Sequence, residues 1–194
     1  MPLWQRAQVQ ELSPQSALLL TQKFSEKTAK GYVPFSMKPA YAQSLHSLLR
    51  TQQVASLGTL HQGQPYISMV PFAPRPGGTD FIIHVSQLAA HTKDMLSSPR
   101  VSLLVIAPPS PGVTAQELAR VTIQGEAVQL VSSTPEHAVA KAAYLARFPQ
   151  SEPMFGFSDF SLFAIVPSSI RFVGGFAQAT TISPEALAKV LSED

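Results

Sequence analysis

The 194-residue sequence contains no cysteine. Disulfides, thiolate nucleophiles and sulfur-based zinc sites are thereby excluded, and the chain suits a reducing compartment. Charge is scarce too. Asp, Glu, Lys and Arg supply 13% of the residues against 45% hydrophobic ones, which argues against disorder and suggests that a second subunit covers some apolar surface. The net charge is only +2 and the basic residues are scattered, so no nucleic-acid groove is expected. Long apolar runs are missing: Ala17-Leu18-Leu19-Leu20 falls far below the ~20 residues of a membrane-spanning helix, and Met1–Arg6 does not open a secretory leader. No membrane partner is expected, and the cytoplasm is the expected compartment. Hydrolase and metal signatures are absent as well. His46, His61, His84, His91 and His137 are dispersed without an HExxH pair, and no Gly-x-Ser-x-Gly elbow occurs, so any redox group has to come from a cofactor.

What is present reads as one domain with a leader, a length in the ordinary range of roughly 100–200 residues for a single core. Residues 1–37 are mixed and irregular, an N-terminal extension in which Ser13-Pro14 is expected to open a helix running to Phe24. Residues 38–194 alternate strands and short helices. Tyr41, Leu45, Leu48 and Leu49 share one helical face, and Val54–Leu60 and Tyr66–Phe72 flank a Gly-containing turn as a hairpin. Phe81–Val85 is expected to extend that hairpin into a three-stranded meander, followed by a helix over Gln87–Leu96 and strands at Arg100–Ile106 and Arg120–Val128. Gly125 marks a bulge or bend. Thr134-Pro135-Glu136 starts a helix stopped by Pro149; Ser161–Val166 and Ile170–Val173 are the last strands, and Ser183-Pro184-Glu185 opens a terminal helix. Some six antiparallel strands with short helices predict a mainly β fold, a closed or split barrel rather than an open sheet, because closure removes exposed edges.

Three places carry polar groups suited to a ligand. At Ser86 a strand runs into a helix start, where free amides together with Ser86, Thr92 and Lys93 are able to hold a phosphate; the alternative is that Ser86 merely caps the helix while His91 and Lys93 are solvated. Arg120 begins a strand, either facing water or aiming its guanidinium at a ring edge or a phosphate. Ser68 is equally a surface residue or a pocket donor.

The ordered set Ala55-Ser56-Leu57-Gly58-Thr59-Leu60, Pro65–Phe72, His84-Val85-Ser86-Gln87-Leu88-Ala89-Ala90-His91-Thr92, Pro99–Leu104, Arg120–Ala127 and Arg171-Phe172-Val173-Gly174-Gly175-Phe176-Ala177-Gln178-Ala179 resembles one family. That family is the pyridoxamine 5′-phosphate oxidase-like FMN-binding split barrels, in the branch that includes bacterial haem-utilisation proteins, and the resemblance covers roughly residues 40–180. It implies a six-stranded antiparallel split barrel, homodimeric, with FMN at the interface acting as an oxidoreductase on a small molecule. The flavin ring would lie near the strand of Ser68, Met69 and Val70 and near Arg120, the phosphate near Ser86, His91, Thr92 and Lys93, with Val85 also among the cofactor-binding residues. Two departures stand out. Leu88 and Ala89 occupy places where the oxidases that name the family carry basic residues, and Asp94 adds a carboxylate that is unfavourable beside a phosphate unless paired. The segment after Ala179 lacks the substrate-gripping Trp and Arg of those oxidases, so their activity is not expected. The alternatives are a non-catalytic dimeric barrel, and haem binding or degradation with His84 or His91 as the ligand.

Overall fold

A computed structural model describes residues 38–176 and 178–192, and the expected leader with its helix lies outside the described residues. Helix α1, Pro39–Thr51, buries Leu45, Leu48 and Leu49 as the spacing predicts. Strands β1 (Val54–His61) and β2 (Gln64–Pro71) form the expected hairpin. Its turn residues Gln62 and Gly63 both have positive φ, 51° and 80°, the geometry whose twist matches that of paired strands.

The meander does not form. The two residues of β3, Ala73–Pro74, leave β2 and pair with β4, Phe81–Ser86, while β1 takes β5, Arg100–Ile106, as its second neighbour. Arg75 and Asp80, joined by a 2.7 Å ion pair, fix the turn between β3 and β4. Beyond β5 come β6, Arg120–Gln129, and β7, Phe160–Val173, giving the order β2-β1-β5-β6-β7-β4-β3, antiparallel throughout, with β8, Ala179–Ile182, on β7. Because β3 follows directly from β2, the chain joins the two ends of this order into a split barrel. The described sheet has eight strands rather than six. A two-residue strand and a strand without an apolar run, β3 and β8, carry little sequence pattern.

The two expected final strands are one. Pro167 breaks the sequence pattern, yet it falls opposite Gly125, where the β6–β7 register shifts. A proline is tolerated at such a bulge because the ladder there needs no donor. A Cβ on Gly125 would run into the Val166 carbonyl oxygen, so the close approach requires glycine.

Helix α2 (Ala90–Ser97) packs on β1 and β2. Helix α3 (Pro135–Arg147), capped by Thr134 Oγ1 accepting from the His137 amide, covers β4 and β7 from outside, and α4 (Pro184–Ser192) packs on α1. The barrel interior is filled by Leu57, Leu103, Ile123, Phe163, Ile165 and their neighbours, all essentially inaccessible. A second layer under α3 is built from Ile82, Leu162 and Ala164 on the strands and Ala140, Tyr144 and Phe148 on or beside the helix. Arg147 ties this layer to α1. Its Nη2 donates to the carbonyls of Leu49 and Arg50 at 3.0 and 3.1 Å and to that of Gln52, satisfying acceptors that the end of α1 leaves open.

Candidate functional site

Strand alternation divides the segment expected to form one pocket. Val85 enters the barrel interior at 5% exposure, whereas His84 points the other way, beneath α3. The chain then turns at Ser86. The Ser86 hydroxyl donates to Asp159 Oδ2 at 2.7 Å and accepts from the Leu88 amide at 3.1 Å, and its carbonyl accepts from Thr92 Oγ1 at 2.7 Å. This local turn delays the helix, so α2 starts at Ala90 instead of Gln87, and the residue at its cap is Ala89, which offers no side-chain acceptor. Ser86 is therefore not the cap. It and Thr92 brace the turn, and Thr92 is fully buried.

Two polar atoms, one in the first turn of α2 and one on β2, are orphans. His91 Nε2 and Ser68 Oγ are buried and make no hydrogen bond among the described residues. His91 is half-buried on α2, Ser68 lies on β2 against which α2 packs, and Lys93 is exposed. Burial lowers the imidazole pKa of His91 and Asp94 partly offsets this, so the ring favours its neutral form. A buried polar atom without a partner costs free energy that a bound ligand can recover.

Asp94 is paired. It is 5% exposed, accepts from Thr59 Oγ1 at 2.8 Å, and lies 2.8 Å from His61 Nδ1, binding α2 to β1. Its carboxylate thus has a structural assignment. Thr59, His61 and Asp159 were not legible as parts of this site, since they reach their partners across 33 to 73 residues of sequence.

Val70 is in the barrel core at 1% exposure, so Val70 and Val85 can offer a ligand only backbone. Met69 faces outward at 63% exposure, beside Ile67 at 73%. Arg120 folds back: its Nη1 donates to the carbonyls of Gln116 and Leu118 at 3.2 and 3.0 Å, steadying the short 3-10 turn Ala115–Glu117. The outer face of β1, β5 and β6 has a shallow depression of about 520 Å³ around Gly58, Ser102, Arg100 and Gln124.

An antiparallel barrel joined end to end through β2 and β3, with a helix across its first hairpin, defines the split-barrel class. Within it, the family model described as pyridoxamine 5′-phosphate oxidase matches residues 42–174, and the chain belongs to that family. Similar curated proteins are the chloroplastic heme oxygenase HOZ of Arabidopsis thaliana, 41% identical over 119 residues, and the heme oxygenase HutZ of Vibrio cholerae, 26% identical over 139 residues. The matched region is 61% of this chain but 35% of HOZ, and 71% of this chain and 77% of HutZ. The chain thus spans about a third of the plant protein's length. Among solved structures, a heme binding protein from Mycobacterium smegmatis superimposes with a TM-score of 0.70 at 28% identity, covering 79% of this chain and 62% of that one.

Proposed function

We propose that the protein binds haem at the mouth formed by α2 and β2, as a substrate for oxidative degradation, with His91 contacting it. The observation carrying this reading is the orphan, neutral imidazole nitrogen of His91, the kind of group that ligates iron or bonds to a porphyrin substituent. The names of the similar plant and Vibrio proteins support it. His84, the other imidazole considered, is stacked at 3.9 Å on Phe155 in a different layer and is not the haem contact in this reading. The exposed Ile67 and Met69 on the outer face of β2 belong to an apolar surface that a second copy of the chain covers. Titration with hemin is expected to give a saturating Soret band, and His91→Ala is expected to weaken binding at least tenfold and move the band; an unshifted band at unchanged affinity in the variant overturns the assignment. Loss of the band on adding a reductant in air tests degradation separately.

A second reading, FMN at the same mouth, is favoured by the uncapped first turn of α2 and the orphan Ser68 Oγ. There the α2 amides and Lys93 would hold the phosphate and Ser68 would bond the ring, while bound FMN would supply electron transfer. Protection from thermal unfolding by FMN, absent with riboflavin, separates this reading from the first.

A further inference from the structure

Ile82 and His84 project from β4 into the same outer layer, but only one of them is apolar. The His84 ring stacks on Phe155 at 3.9 Å with 7° between planes, meets Tyr144 edge-on at 5.7 Å, and forms no hydrogen bond to a described residue. Its setting is hostile to charge. Burial first, then the neighbouring His137 and Lys141, push its pKa down to about 4, so the ring is neutral at ordinary pH and presents one N–H donor and one acceptor. A leucine at this position would pack without that cost. The histidine opens instead onto a cavity of about 310 Å³, which lies in the size range of small-ligand sites.

The cavity lining has a definite chemistry. Lys141 and His137 supply the positive side, Ser132 and Ser158 supply hydroxyls, and Phe157 and Phe160 supply apolar walls, with no carboxylate among the lining residues. Lys141 Nζ sits 4.7 Å from the centre of the Phe155 ring and 3.6 Å from the exposed Glu152, a surface pair too weak to neutralise it. Thr134 Oγ1 already takes the amide of His137, the one first-turn residue of α3 that lines the cavity, so the helix terminus offers a dianionic phosphate no free amide from a lining residue. One ammonium beside aromatic walls fits a singly charged anion with a flat ring.

We propose that this cavity is a second small-molecule site, in a different layer from the α2 mouth, which takes a small aromatic carboxylate: the carboxylate at Lys141 and His137, the ring against Phe157 and Phe160, and a hydrogen bond to His84. Salicylate is a suitable probe, titrated into the full chain and followed by its own fluorescence and by the backbone amides. Saturable binding is expected, with the largest amide shifts at residues 155–160 and at 137 and 141, and with benzamide and inorganic phosphate each at least tenfold weaker. Lys141→Met, a change at a half-exposed position that leaves the strands untouched, is expected to lower salicylate affinity at least tenfold while hemin and FMN behave as with the unaltered chain. His137→Gln is expected to lower it less. Benzamide binding as well as salicylate, shifts centred on α2, unchanged affinity in Lys141→Met, or no saturation each overturns the proposal.

Discussion

Strands β4 and β7 each show one face to the barrel interior and the other to the layer beneath α3, and the two faces follow different rules. Inside, Ile83, Val85, Phe163 and Ile165 belong to the large apolar core cluster. Outside, Ile82, Leu162 and Ala164 share their layer with His84, Tyr144 and the pendant Phe155. Large buried side chains such as Phe81, Phe163 and Leu103 fill the interior, so stability is concentrated there. Buried polar atoms without a hydrogen-bond partner stand in its wrapping, His91 Nε2 on α2 and Arg147 Nε on α3, and both proposed ligand sites lie there.

The sharpest way to break this contrast is a pair of substitutions. Leu103→Ala in the barrel is expected to lose about 3–4 kcal/mol in chemical denaturation, whereas His84→Phe in the outer layer is expected to be neutral or stabilising. Equal losses would mean that the outer layer is packed as strictly as the interior. Next, Arg147→Met should cost about 2–3 kcal/mol by the same measurement, since it strips a charged donor from three carbonyls at the end of α1. Gly125→Ala is expected to cost about 2 kcal/mol, because the new methyl meets Val166 backbone that cannot yield without opening the β6–β7 ladder. The smallest effect is on pH dependence. The folded protein holds His84 down at about 4, against 6.5 when unfolded, so the unfolded chain protonates first as the pH falls. Stability is thus whole above about pH 6.5 and falls toward pH 4, by about 1–2 kcal/mol for this group after discounting for solvent reaching it from the cavity. In His84→Phe that part of the slope should vanish.

Where period and punctuation agree, the sequence already shows the element: the α1 face, the first hairpin, the β5 and β6 strands, and the caps of α3 and α4. The merging of β7 was hidden because Pro167 looks like a stop until Gly125 is seen opposite it, a pairing made 42 residues away. The absent meander has a similar cause, since the local preference for hairpins yields to the closure that β3 provides. At the site, the residue types at Ser68, Ser86, His91 and Thr92 were visible but not their use. Ser86 and Thr92 spend their hydroxyls on the turn, and Asp94 is answered by Thr59 and His61, none of which local spacing reveals. The divergence of His84 from Val85 follows from strand alternation alone and was open to inference from the outset.

Strand β7 has a consequence for dissecting the protein. As one 14-residue span it hydrogen-bonds in turn to β4, β6 and β8, so no cut within it leaves two self-sufficient pieces. The loop around Gly112 is the opposite case, with positive φ and open space about the glycine, and the two ladders that cross it, β5–β6 and β4–β7, each join whole strands. A chain opened at Gly112 and rejoined by reassociation of its two fragments would keep β7 whole, making that loop the natural seam for split reporters or permuted termini.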